Sequence, residues 1–233
     1  MRFLPSVFLI LTLQGIGTYS TPVFGFTPIL PRESTVSASI QSLQRTFLAD
    51  ENEIAVDGVG AHLGLTAPLA ENLSLSLSAG HLAHAHFYGP MDLEGQYGTQ
   101  LQLTINAGLE VVQDFFVVGI VDYTQENWHF EHEFLAERPL IVELDTKLAT
   151  AGFGMRYQFA TTSAYGALKY NVFEDNIGSA RFTVLGSQFR FERDAHLYVQ
   201  TGLAVALTPR VSMRLEKYWV GDETWGVAWD LKL

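Results

Sequence analysis

The chain has 233 residues, 48% of them hydrophobic and 17% charged, with no cysteine and a formal net charge of -11. That length suits one ordinary domain. The missing cysteines exclude disulfides and thiol-based metal or nucleophile chemistry, and the acidic balance excludes nucleic-acid partners, which need clustered Lys and Arg.

In chain order, the first segment from Met1 to about Ser20 carries a basic Arg2, an apolar run from Phe3 to Leu13 and small or polar residues after it. This is the layout of a secretory signal peptide. The expected organisation is therefore a signal peptide over 1–20, an N-terminal extension over 21–34 and a single membrane domain over 35–233. Within that last region no stretch approaches the roughly 20 consecutive apolar residues of a membrane helix.

From Gly58 to Thr66, Val59, Ala61, Leu63 and Leu65 alternate with Gly58, Gly60, His62 and Gly64, the period-2 signature of a strand with two unlike faces. After the turn 67–72 the pattern resumes as Leu73, Leu75, Leu77 and Ala79 against Ser74, Ser76, Ser78 and Gly80, which predicts a hairpin. The segment 96–110 then alternates for more than a dozen residues, apolar against Gln, Gly, Thr and Asn. Similar segments follow at 115–125, 149–159, 165–172, 197–207, 211–219 and 225–233, with a less regular one at 36–47. Strands of soluble sandwiches average about 5 to 6 residues and carry charge on their polar face. These run longer, with a small and uncharged polar face, and match the roughly 9 to 11 tilted residues that cross a bilayer.

The connections alternate too. Short turns near Pro68–Glu71, Val112–Asp114, Ala160–Thr162 and Thr208–Arg210 contrast with longer links at Tyr88–Gly95, Glu126–Asp145 and Glu174–Ala195. Bacterial barrels show this asymmetry between periplasmic turns and outer loops. Aromatics fall at both strand ends, with Phe115, Tyr157, Phe159 and Tyr165 beside short turns and Phe87, Tyr88, Trp128, Trp219 and Trp225 near the loops, which predicts two interfacial belts. The expected fold is all-β: a closed antiparallel up-and-down transmembrane β-barrel of ten strands. The strand-like stretch Arg181–Phe191 in the fourth outer link reads as an extension of the wall, and counts of eight or twelve are left open.

At the C-terminus, Thr224, Gly226, Trp229 and Leu231 form a polar residue, a Gly and two hydrophobics in alternation. This resembles the assembly signal of outer-membrane barrels, and the stretch from Gly202 to Glu216 resembles the closing hairpin of the OmpA-like and opacity-type small barrels. Members usually end in Phe or Trp, where this chain ends in Leu233. The resemblance implies an integral protein of the bacterial outer membrane, with membrane lipid and the barrel-assembly machinery as partners and no cofactor. It implies no single activity, because the superfamily hosts adhesins, pores, enzymes and structural members.

Continuing each strand's alternation places Glu110, Asp122, Arg156, Lys169, Arg214, Glu216, Asp230 and Lys232 on the inward face. In a lumen of 8 to 10 strands, opposite charges pair and plug the barrel, whereas an ion-selective pore favours a ring of one sign. His84 and His86 stand two apart near the outer rim, the spacing of a metal-binding pair or of two solvated histidines. Ten-stranded barrels also include the omptin surface proteases, which set two acidic residues opposite an Asp-x-His pair. Asp194-Ala-His196 in the fourth outer loop is similar to the latter, while Asp92-Leu-Glu94 in the second offers Asp-x-Glu where omptins have two aspartates. The favoured reading is a largely plugged barrel without turnover, acting in surface binding, adhesion or envelope integrity through its outer loops toward an extracellular ligand or surface protein. The apolar loop clusters Phe134-Leu-Ala, Leu140-Ile-Val and Phe182-Thr-Val-Leu are its contact candidates. A small pore and an omptin-like or lipid-modifying enzyme are the alternatives.

Overall fold

A computed structural model describes residues 34–49, 52–88, 93–133, 139–182, 185–193, 196–220 and 224–233. The expected signal peptide and most of the N-terminal extension lie outside these residues. The described chain is entirely β, with strands β1 (Thr35–Ala49), β2 (Asn52–Ala70), β3 (Leu73–Tyr88), β4 (Leu93–Val112), β5 (Phe115–Glu133), β6 (Pro139–Phe159), β7 (Thr162–Phe182), β8 (Leu185–Arg190), β9 (Glu192–Arg193), β10 (Leu197–Ala206), β11 (Val211–Val220) and β12 (Trp225–Lys232). Consecutive strands pair antiparallel from β1 to β7, then β7 pairs with β10, β10 with β11, β11 with β12, and β12 returns to β1. Ten strands thus close the barrel, as the alternation predicts. β8 pairs with β7 and β9 with β1, so the stretch around 185–193 extends the wall above the shorter strands β10 to β12.

Outside, an apolar band circles the half nearest the short turns. It includes Leu63 and Leu65 on β2, Leu101, Leu103 and Ile105 on β4, Val117 and Val121 on β5, and Phe153, Met155 and Tyr157 on β6, all solvent-exposed. On β5 the band runs from Phe115 to Tyr123 and on β6 from Ala149 to Phe159, close to the roughly 9 to 11 residues of a bilayer crossing. So extended an exposed apolar surface is stable only against lipid. We expect Ile105→Arg, in mid-band, to cost about 2–4 kcal/mol and Gln125→Arg, just above the band, about 0–1 kcal/mol. Urea titration of the protein folded in lipid vesicles measures both.

Above the band the strands continue and their polarity reverses. On β5 the outward residues become Gln125, Asn127, His129 and Glu131, while Trp128 and Phe130 turn inward and are buried. On β6, Glu143, Asp145 and Lys147 face out and Leu140, Val142 and Leu144 face in. These inward side chains join Leu43, Phe47, Ile54, Val56, Leu82, Phe87, Leu93 and Phe191 in one core at the top of the barrel. The protruding half is built like a soluble protein, dry inside and polar outside.

This reversal corrects three expectations. The long outer links at Glu126–Asp145 and Glu174–Ala195 are mostly strand, because alternation continues there in the opposite phase. Phe87 and Trp128 belong to the interior rather than to an interfacial belt, as does Tyr165 lower down, which the ordinary phase of β7 turns inward with Ser163, Ala167 and Lys169, whereas Tyr88, Tyr157, Phe159, Trp219 and Trp225 are exposed outside. Leu140 and Val142 are core residues and offer no contact patch; residues 134–136 and 183–184 lie outside the described residues.

The small residues of the inward face make room for larger neighbours. A Cβ at Gly80 would stand 1.8 Å from the His62 ring, and one at Gly202 would stand 2.3 Å from the Tyr165 ring. Each pair is a direct cross-strand partnership, His62 with Gly80 and Tyr165 with Gly202, and glycine is the residue that lets each ring lie flat over the neighbouring strand.

Candidate functional site

The interior holds three ionic groups at successive heights. Lowest, the Arg214 guanidinium donates to both oxygens of Asp230 (2.6 and 3.0 Å) and to Glu216 (2.8 Å), whose same oxygen accepts from the Tyr165 hydroxyl at 2.5 Å. Next, the Lys169 ammonium donates to Asp122 (2.8 Å) and to the Tyr218 hydroxyl (3.2 Å), and Thr104 donates to the other Asp122 oxygen at 2.7 Å. Highest, Glu126 sits between Arg45 and Arg193, with a 3.5 Å contact to the latter, and accepts from the Gln100 amide at 2.8 Å. Gln41 then donates to Gln100 (3.0 Å) and to the His62 ring (2.9 Å). Bidentate and charge-assisted bonds of this kind suit a region where water is absent.

Of the residues that alternation places inward, Asp122, Lys169, Arg214, Glu216 and Asp230 meet in these groups. Arg156 reaches the Gln158 side chain and lies 5.6 Å from the Phe116 ring centre. Glu110 and Lys232 are exposed. The register of β4 shifts between Glu110 and Val112, so the Glu110 carboxylate leaves the lumen and accepts the Asp114 backbone N–H of the turn at 2.9 Å. Sequence reasoning missed Arg45, Glu126 and Arg193, since Glu126 and Arg193 fall in segments read as loops. Opposite charges at inward parity on the extended strands were the available signal.

Side chains inside the barrel are shut off from solvent at every level, from Ala228 and Val118 through Gln200, Thr104, Arg45 and Glu126 to Phe47 and Phe130, each 0% exposed. A void beside Lys169, Asp122, Thr150, Tyr198 and Tyr218 measures about 10 Å³, room for one water. The lumen is a packed core.

The other candidates are dispersed. Thr224 and Gly226 face inward, with the Thr224 hydroxyl donating to the Ser42 carbonyl (3.0 Å), while Trp229 and Leu231 face out into the apolar band. His84 occupies a bulge: β2 and β3 pair Asp57 with His86 but Val59 with Ala83, and the extra residue adopts φ 52°. It lines an outward groove of about 370 Å³ with Ser42, Gln44, Asp57 and Val59, and His86 stacks on Tyr88 at 6.0 Å. Among the described residues no three metal-ligating side chains gather. Asp92 and Asp194 lie outside the described residues, Glu94 belongs to β4, and His196 is exposed in the bend just before β10.

The outward face of the protruding half carries a larger groove, of about 520 Å³. Its outward side chains fall in two cross-strand rows set by the register, with Gly98, Trp128 and Leu144 on the line between them. One runs Tyr97, His129, Glu143, Ser179, Gln188 and the other Thr99, Asn127, Asp145, Ile177, over β4 to β8. The rings of Tyr97 and His129 stack at 5.1 Å with 16° between their planes. Glu143 lies 3.6 Å from His129 Nδ1 and accepts from Ser179 (3.3 Å) and Arg181 (3.5 Å). Asp145 Oδ1 is buried without a hydrogen-bond partner. Five adjacent strands span about 19 Å at ~4.8 Å spacing, so the rows form a long, flat platform of hydroxyls, amides, carboxylates and one aromatic pair.

No protein-family model and no curated protein matches the chain. The outer-membrane protease OmpT from Escherichia coli has a similar structure, with a TM-score of 0.58 and 12% identity over 92% of this chain and 100% of that one. The translocator domain of autotransporter NalP from Neisseria meningitidis is similar with a TM-score of 0.55 and 12% identity, covering 99% of this chain and 95% of that one. At this identity the likeness concerns fold alone, and the shared fold is the β-barrel of bacterial outer-membrane proteins.

Proposed function

We propose that the chain is an integral outer-membrane protein whose sealed barrel carries no solute and which acts by binding at the cell surface through its protruding outward face. The observation that carries this is the packed interior: with solvent excluded at every height, solutes and partners meet only the outside of the wall. The OmpA-like character of the closing hairpin and the exposed apolar band support placement in the outer membrane. The two-row groove, larger than the one beside His84, combines depth with polar chemistry on the outer wall.

Two measurements test this reading. The refolded chain in a planar bilayer is expected to be electrically silent, and steady, reproducible openings would replace binding with transport. Bacteria displaying the chain are expected to be retained on glycan-coated or protein-coated surfaces more than bacteria displaying the Tyr97→Ala variant. Equal retention of both would remove the groove from function.

A further inference from the structure

The two rows carry a particular mixture of groups. Hydroxyls of Tyr97, Thr99 and Ser179 and amides of Asn127 and Gln188 both donate and accept, while the carboxylates of Glu143 and Asp145 only accept. Ile177 is the one aliphatic side chain in the rows. A protein partner would select projecting apolar anchors ringed by polar groups, whereas most side chains that project from these rows are polar. A polyanion is opposed by the two carboxylates and by the net charge of -11.

A polyhydroxylated ligand fits. Each sugar hydroxyl can donate to a carboxylate and accept from an amide or hydroxyl of the next row. The Tyr97 ring, half exposed and backed by the stacked His129 ring, offers its exposed face to the C–H side of a pyranose. The Asp145 carboxylate, 42% exposed with Lys147 Nζ 3.9 Å from its Oδ2, is a charged acceptor that an incoming hydroxyl can reach. Asn127 stands four residues beyond Tyr123, the last outward residue of the apolar band on β5, so the platform begins on the order of 10 Å above the lipid. That is the height of the sugars of a neighbouring glycolipid, and it is equally open to glycans arriving from outside.

Resting on the surface-binding reading, we propose that the groove is an oligosaccharide-binding site, with Tyr97 and His129 as the stacking platform and Asp145, Glu143, Asn127 and Gln188 as the polar contacts. The test uses the full chain, refolded in detergent free of lipopolysaccharide, with three probes: lipopolysaccharide core oligosaccharide freed of lipid, maltoheptaose and chitohexaose. Saturation-transfer NMR is expected to show contact with sugar protons, and titration is expected to give affinities weakened about tenfold by Tyr97→Ala and by Asp145→Asn, but unchanged by Asp175→Asn outside the two rows. Heat-dependent migration on gels checks that each variant is folded. Binding of the core oligosaccharide alone assigns the site to glycolipid of the same membrane, and binding of either linear glycan assigns it to free saccharides. Binding of none, or binding that folded Tyr97→Ala leaves intact, overturns the proposal. If glycans fail while displaying cells are still retained on protein-coated surfaces in a Tyr97-dependent way, the saccharide inference falls and surface binding stands. Loss of both ends both.

Discussion

Replacing Glu126 with alanine is expected to cost about 3–5 kcal/mol of folding stability, because it strips two buried guanidinium groups of their carboxylate. Arg45 is 0% exposed and Arg193 3% exposed, so neither can recruit water in compensation. The loss is read as a lower urea midpoint for the folded form in vesicles. Glu126→Gln, which keeps the shape and accepts weakly, should fall between the wild type and alanine. A wild-type midpoint for Glu126→Ala would mean that the upper lumen is wet, against the packing described above.

Trp128→Ala is expected to cost a similar amount, about 3–5 kcal/mol, for a different reason. The indole is stacked against Phe130 at 6.3 Å, and Phe130 in turn packs on Phe87 at 5.5 Å. Its removal leaves a cavity in the middle of the core that holds the protruding half together. Because the strand segments within the apolar band keep their lipid and their own ionic groups, the damage should be local. Amide hydrogen exchange should accelerate in β4 to β6 above Tyr123 while the lower amides stay protected. Uniform acceleration along whole strands would show that the two halves fold as one unit.

The part of the fold most legible in the sequence is the part next to lipid. On β4, Leu101, Leu103 and Ile105 against Gln100, Gln102 and Thr104 leave no doubt about face or period, since lipid demands one polarity and a narrow lumen the other. Beyond the band, water replaces lipid outside and the rule inverts. Trp128, Phe130, Leu140 and Val142 keep strict period 2, but with the hydrophobic face turned inward, and strands there resemble loops to any reading that holds the phase constant. The candidate site was hidden for the same reason. Asn127, His129, Glu143 and Asp145 look like loop polarity in one dimension, and only the cross-strand register brings them together with Tyr97 and Ser179. Asp122, Lys169, Arg214, Glu216 and Asp230 were easier, because each lies within the lipid-facing length of a strand whose phase is secure.

The wall is fastened unevenly around its two rims. At the lower rim β1 meets β12 over seven residue pairs, from Thr35–Lys232 to Gln41–Gly226. At the upper rim the edge of β1 that faces away from β2 has two backbone pairs, Phe47–Arg193 and Leu48–Glu192, through which the β8–β9 stretch spans the gap above β10 to β12. The mouth is therefore closed by a clasp rather than by a continuous seam: six pairs join β8 to β7, and the Phe47–Phe191 ring contact at 4.9 Å and the Arg193–Glu126 ion pair fasten its far end. Two short pieces of chain thus do for the upper rim what three whole strands do for the lower one, and they leave Phe191 and the ion trio around Glu126 as dry as the ring beneath.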